Sequence, residues 1–240
     1  MSTVDILALG AHPDDVELGC GGSLAKVIAK GKRVGIIDLT AGELGTRGTV
    51  KIREKEAQKA AQLLGVYFRE NLQFRDGFFV NDETHQKALI QKIRTYKPEI
   101  VLCNAIHDRH IDHGRGSQLV KEAAFLSGLA KIETLDLYGN PQEPWRPRLL
   151  LHYIQWEDIQ PDIVLDISGF LEAKMGAVEA YKSQFFDPTN NAPETPISSR
   201  NFLDSVRYRA RNFGRLLGVE AGEGFTVDRL IGVSDFDSLI

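Results

Sequence analysis

Apolar residues along this chain fall into short unbroken runs, separated by longer segments in which they recur every three to four positions. Those are the two signatures of buried strands and of helices packed against them. Val4 to Gly10 is mostly apolar and ends in small residues, as a central parallel strand does. From about Val16 to Lys30 the pattern turns helical, and Gly19, Gly21 and Gly22 remove side chains where a helix would press on a sheet. Arg33 to Thr40 reads as a second strand, continued by a glycine-rich loop from Thr40 to Gly48 that should emerge at the same end of the sheet. Lys51 to Leu64 is a strong helix with Gly65 as its stop. Val66 to Leu72 suits a third strand, Asp76-Gly77 a turn, and Glu83 to Tyr96 a helix halted before Pro98.

Glu99 to Ala105 is the fourth strand, and a His-rich loop leads from it into a helix from about Gly116 to Ala130. Strand–helix alternation of this kind implies an α/β fold, a doubly wound and mostly parallel sheet in three layers. Residues 131–148 are irregular, Leu149 to Gln155 and Ile163 to Ile167 are further strands, and Ser168 can cap a helix running to about Tyr181. Phe186 to Pro196 is polar and proline-containing, which predicts a mobile loop near a cleft or a partner subunit. Ser198 to Leu217 returns to helix. No internal repeat or low-complexity tract interrupts this order.

With 240 residues, one domain spanning 1–240 is expected, with ample length for a core. The 29 Lys and Arg against 33 Asp and Glu give a net charge of −4, so no polybasic surface announces nucleic acid or anionic lipid. Met1 to Asp5 lacks a basic leader followed by an apolar stretch, and no run approaches the roughly 20 residues of a membrane span. The expectation is a cytoplasmic protein with no membrane partner. Cys20 and Cys103 are too few and too far apart for a disulfide framework and read as packed, reduced thiols.

Chemistry concentrates behind two of the apolar runs. His12-Pro13-Asp14-Asp15 places an imidazole and a carboxylate three positions apart on a turn where Pro13 fixes one backbone angle, leaving Asp14 free between them. The second cluster, His107 to His113, follows the fourth strand. Ligands of open parallel sheets sit beyond the carboxyl ends of the strands, so the two clusters can face each other across one pocket. Two imidazoles and one carboxylate, His12, Asp15 and His113, would hold a divalent cation with a position left open for water, the composition of a catalytic zinc site. Asp14 then suits the general base, His110 an oxyanion stabiliser, and Asp112 a group that orients a histidine. Arg53 lies in the first turn of its helix, an unfavourable place for a cation, which points to ligand binding. His85 and His152 lack such company and read as surface and structural.

Ala11-His12-Pro13-Asp14-Asp15-Val16-Glu17, the loop Gly42 to Gly48 followed by Arg53-Glu54, and His110-Ile111-Asp112-His113 resemble the signature blocks of the LmbE/PIG-L zinc-dependent N-acetylglucosamine deacetylases. A weaker match continues in Tyr181 to Phe185 and Glu223-Gly224-Phe225. Within that family the chain looks most like the bacillithiol-biosynthesis deacetylases, which act on N-acetylglucosaminyl-malate. The resemblance implies a Rossmann-like fold, zinc on His12, Asp15 and His113, Asp14 as base, and His110 paired with Asp112 in stabilising the transition state. It further implies substrate binding by Arg53 and Arg109, and a homo-oligomer. Relatives often supply a tyrosine from the C-terminal half to the oxyanion site, whereas Phe202 stands here in Asn201-Phe202-Leu203. Three alternatives stay open: a non-haem iron oxygenase built on the same two-histidine, one-carboxylate set, a sugar-binding module with a structural metal, and a deacetylase of chito-oligosaccharides or an inositol glycoside. Zinc and ferrous iron accept similar donors.

Overall fold

The computed structural model describes residues 3–239; Met1 and Ser2, at the head of the stretch read for a leader, lie outside the described residues. Seven strands form one sheet: β1 Ile6–Gly10, β2 Val34–Thr40, β3 Phe68–Phe74, β4 Ile100–Cys103, β5 Leu149–Tyr153, β6 Ile163–Asp166 and β7 Gly222–Val227. Their spatial order is β3-β2-β1-β4-β5-β7-β6. Five strands from β3 to β5 are parallel, and β7 runs antiparallel to both β5 and β6. The mostly parallel α/β fold expected from the sequence is therefore present.

Strand β7 is not among the elements expected from the sequence. Gly222-Glu223-Gly224-Phe225 has the composition of a poor strand former. Pairing on both edges and near-complete burial outweigh that propensity.

Among the described residues six α-helices accompany the sheet: α1 Asp15–Ala29, α2 Val50–Leu64, α3 Glu83–Tyr96, α4 Ile111–Leu126, α5 Leu171–Glu179 and α6 Arg200–Leu217. Alternate residues of β1 and β2 point to opposite faces. Leu7, Leu9, Ile37 and Leu39 pack with Leu89, Ile93, Leu119 and Val120 of α3 and α4, while Ile6, Ala8, Val34 and Ile36 pack with Val16, Cys20 and Leu24 of α1. Both faces are thus covered, which is why these strands read as unbroken apolar runs.

Helix α1 carries the main departure from regular geometry. Cys20 has φ −144° and ψ 17°, a break that frees backbone groups on either side of it. Glu223 of β7 accepts from the Gly22 and Ser23 N–H groups at 3.0 and 2.7 Å, and Lys174 of α5 donates to the Leu18 carbonyl at 2.7 Å and to Glu223 at 2.5 Å. An ion pair from two other elements therefore supplies the partners that the broken helix lacks. A Cβ on Gly19 would lie 2.0 Å from the Tyr153 ring, and one on Gly22 would lie 2.6 Å from Ile167. Close helix-to-sheet packing, expected from these glycines, is what the structure contains.

Two boundaries differ from expectation. Helix α4 begins at Ile111 rather than near Gly116, because His110 caps it by accepting the Asp112 N–H at Nδ1, 3.2 Å away. Helix α5 begins at Leu171, and Ser168 does not cap it: its hydroxyl and N–H both bind Asp166. Among the described residues no helix is long and apolar enough to cross a membrane.

Candidate active site

The strand order reverses its direction of growth between β1 and β4, and crevices at such points receive ligands at the carboxyl ends of the strands. His12 to Asp15 follow β1, and His110 to His113 open α4 just after β4. A cavity of about 480 Å³ lies there, lined among others by His12, Asp14, Asp15, Arg53, His110 and His113. Arg109 lines the same cavity, so of the eight residues nominated from sequence only Asp112 lies behind its wall, fully buried.

His12 presents Nδ1 to Asp15 at 3.6 Å, and His113 presents Nε2 to the other oxygen of Asp15 at 3.2 Å. The opposite ring nitrogens are held by carboxylates: His12 Nε2 by Asp76 at 3.0 Å with Asp112 at 3.5 Å, and His113 Nδ1 by Asp108 at 2.9 Å. That is the arrangement in which outer carboxylates fix the tautomer and orientation of metal-binding histidines. Asp15 is fixed in turn, accepting from Asn104 Nδ2 at 2.9 Å, Gln155 Nε2 at 2.5 Å and the His12 N–H at 2.9 Å. Among the described residues two sets of three donors have all their atoms within 4.8 Å of one another, His12 with His110 and His113, and His12 with Asp76 and Asp112.

The donor chemistry fits a divalent cation. Burial works against charge on His12, but Asp112, Asp15 and Asp76 outweigh it and hold the imidazole well above its ordinary pKa. His113 is likewise desolvated, yet Asp15 and Asp108 raise it to about 9. Asp15 stays well below the usual carboxylate range despite burial, because His113 and His12 face it. His110 goes the other way, lowered by burial and by the neighbouring His12 and His113 charges.

Metal uptake at pH 7 is therefore expected to expel about two protons per chain, since only neutral imidazoles ligate. The signs for the metal-free protein agree. A histidine raised from 6.5 to about 9 contributes stability that is complete below pH 6.5 and lost as pH rises through 9, of order 3 kcal/mol for His113. Calorimetry in buffers of different ionisation enthalpy, with melts of chelator-treated protein at pH 6 and pH 9, measures both effects. No proton release, or a metal-free protein more stable at pH 9, would contradict this account.

Asp14 adopts φ 119°, uncommon for a residue with a side chain, and heads α1. Its carboxylate is buried and meets Arg53 Nη2 at 3.0 Å. Burial raises its pKa to about 7, the Arg53 charge opposes the rise, and Asp15 adds to it. Arg53 also donates to the Pro13 and Gly42 carbonyls at 2.6 and 3.3 Å. The guanidinium passes so close to Gly42, φ +63°, that a Cβ there would sit 1.9 Å from Nη1. Arg53, nominated for substrate, thus braces Asp14 and the glycine-rich loop while lining the cavity.

Asp112 accepts from the Gly77 N–H and from Arg115, both at 2.7 Å, so its carboxylate serves His12 and the Gly77 turn while only its backbone N–H reaches the His110 ring. Arg109 is exposed at the cavity mouth, its guanidinium 4.6 Å from the centre of the Trp156 ring. Thr195 and Pro196 bring the end of the 186–196 loop to the cavity, as expected of that segment. His107 lies outside the cluster on Glu157, and His152 is buried among Cys103, Ser117 and Asp228.

Asp76, Asn104, Asp108 and Gln155 were not assigned from sequence. Asp76 precedes a glycine and reads as a turn, and nothing local marks Asn104 or Gln155. Asp108 lay inside the His-rich cluster, where its company was the available signal.

The model of the family described as PIG-L, GlcNAc-PI de-N-acetylase, matches residues 7–124. A diacetylchitobiose deacetylase of Thermococcus kodakarensis is 30% identical over 190 residues, 75% of this chain and 70% of that protein. A probable N-acetyl-alpha-D-glucosaminyl L-malate deacetylase 2 of Bacillus cereus is 26% identical over 201 residues, 75% of this chain and 83% of that protein. The crystal structure of a conserved protein from Thermus thermophilus is similar with TM-score 0.84 and 35% identity, over 97% of this chain and 98% of that one.

Proposed function

Because the chain belongs to the PIG-L, GlcNAc-PI de-N-acetylase family, we propose that it is a zinc-dependent N-deacetylase whose substrate is an N-acetylglucosamine conjugate, N-acetyl-alpha-D-glucosaminyl L-malate. The cation would be held by His12, Asp15 and His113, and it would supply Lewis acidity toward the acetamide carbonyl and a nucleophile at neutral pH. Asp14 takes the proton from the attacking water as the new C–O bond forms. It returns that proton to the departing nitrogen as the C–N bond breaks, leaving acetate and a free amine. His110, on the wall of the same cavity, stabilises the negative charge that develops on the carbonyl oxygen. Burial pushes the Asp14 carboxyl up to about 7 in the metal-free protein, toward the range that suits both directions of that transfer. This proton-transfer role, together with the deacetylase relatives, supports hydrolysis over an oxygenase built on the same donors.

The observation that carries the choice of aglycone is Arg109. Among the described residues no carboxylate or hydrogen-bond acceptor pairs with its guanidinium, and it stands exposed at the cavity. A malyl group brings two carboxylates that a guanidinium can grip. The relative acting on diacetylchitobiose supports a second reading, a neutral disaccharide. Acetate release from the malyl sugar and from diacetylchitobiose, compared as kcat/KM on zinc-loaded protein, decides between them. The expected result is a preference of at least about ten-fold for the malyl sugar, the scale of one charge-assisted contact. Equal or reversed preference would displace the malyl reading, and absence of both activities would defeat the deacetylase assignment.

A further inference from the structure

A guanidinium on an exposed loop residue is ordinarily free to sample many rotamers, and holding one in place costs entropy. Arg109 is exposed, yet its surroundings restrict it from two directions. Its backbone N–H is bound by Asp108 Oδ1 at 2.7 Å, and its Cζ lies 4.6 Å from the centre of the Trp156 ring. Trp156 is itself built in. Its backbone N–H donates to Asp108 Oδ2 at 3.3 Å, its backbone carbonyl accepts from Arg209 Nη2 at 2.6 Å, and its ring stacks on Phe202 with centroids 5.4 Å apart and planes 20° apart. Phe202 continues the stack onto Phe185, 5.9 Å away, which is buried in the core shared by α1, α2, α5 and α6. A continuous aromatic strut therefore runs from the core to a single guanidinium at the cavity mouth. Asp108, at its near end, also holds the His113 ring.

This arrangement explains why position 202 is well served by phenylalanine. Its ring supports Trp156, a task that needs a flat apolar face and no hydroxyl.

We infer that Trp156 is a positioning residue for Arg109, and that through it the aromatic strut sets the preference of the site for substrates whose non-sugar half carries a negative charge. The inference rests on the deacetylase reading and deepens it. A guanidinium lying against an aromatic ring keeps its N–H edges available to an anion while its face is shielded from water. Removing the ring returns Arg109 to its rotamers and to solvent. Cation–π contacts at exposed positions correspond to about two- to five-fold in affinity.

The test measures kcat and KM for the malyl sugar and for diacetylchitobiose on zinc-loaded wild type, W156L, W156F, R109A and the W156L/R109A double variant. Expected in W156L is a fall of about two- to five-fold in the ratio of kcat/KM for the malyl sugar to that for diacetylchitobiose, carried by KM of the malyl sugar. W156F, which keeps an aromatic face, recovers most of that ratio. In the R109A background the Trp156 substitution changes the ratio no further. A merely structural Trp156 would lower both substrates together and leave the ratio alone, and that outcome overturns the inference, as does a W156L effect undiminished in R109A. A wild type that deacetylates diacetylchitobiose but not the malyl sugar defeats the substrate reading and this inference together. A wild-type preference for the malyl sugar that survives W156L unchanged defeats this inference alone.

Discussion

Replacing Asp14 by asparagine is expected to lower kcat for acetyl release by about 10²- to 10⁴-fold while leaving metal content unchanged. Asparagine tolerates the positive φ of 119° at this position, so the backbone is not placed under new strain. It also keeps a carbonyl oxygen for Arg53, whose remaining bonds to the Pro13 and Gly42 carbonyls hold the loop. What it removes is the ability to accept and return a proton. The pH profile separates this from a packing effect. Burial keeps the Asp14 carboxyl near pH 7, so acidification protonates it and the wild-type rate falls on the acid side; a bound cation would draw that limb toward lower pH. In D14N the limb assigned to this carboxyl disappears along with most of the rate. A fully metal-loaded D14N protein with turnover within ten-fold of wild type would remove Asp14 from the mechanism and favour a base elsewhere in the cavity.

The second large effect lies away from the chemistry. Lys174→Met is expected to destabilise the protein by about 3–5 kcal/mol, read as a shift of the urea midpoint at unchanged slope. Lys174 and Glu223 are both buried, 2.5 Å apart, and the methionine would leave the Glu223 charge without its cation. Two backbone N–H groups at Gly22 and Ser23 still face that carboxylate, which is why the expected loss stops short of unfolding the domain's core outright. Adding Glu223→Leu should recover only part of the loss. The charge is gone, but the Gly22 and Ser23 N–H groups and the Leu18 carbonyl then have no partners where α1 breaks at Cys20. A double variant as stable as wild type would mean that the break is satisfied in some other way.

That ion pair also shows why the site and the scaffold cannot be read separately. Helix α1 starts with the motif residue Asp15, and four residues later Gly19 must lie against Tyr153, whose hydroxyl donates to the Leu9 carbonyl of β1 at 2.9 Å. The break at Cys20 lets the first turn keep Asp15 aimed at the crevice while the rest of the helix follows the sheet. Glu223 and Lys174 satisfy the backbone groups that this break exposes.

Much of this was legible in the linear chain because the signals are local. An apolar run ending in Gly10, with His12 and Asp15 just beyond it, fixes a strand and places two donors at its carboxyl end through the chain's own connectivity. Helix α3 was delimited by Pro98 and by the onset of its period at Glu83, and α2 by Gly65, which takes φ +77°. Glycines at 19 and 22 announced a close approach whose partners, Tyr153 and Ile167, lie far away in sequence.

What the chain by itself determined, then, was the parallel α/β scaffold and most of the polar side chains that line the crevice, because periodicity and strand-end position depend on neighbours a few residues apart. Only the folded structure decided which nitrogen of each histidine faces the crevice. It also decided that Asp76, Asp108, Asn104 and Gln155 orient the donors, that Arg53 braces Asp14, and that an aromatic strut ends at Arg109. Those choices rest on contacts between residues up to 140 positions apart, as for Gln155 with Asp15, and no local pattern carries them. Strand β7 belongs with them: its glycines argue against a strand until both neighbouring edges are in place to pair with it.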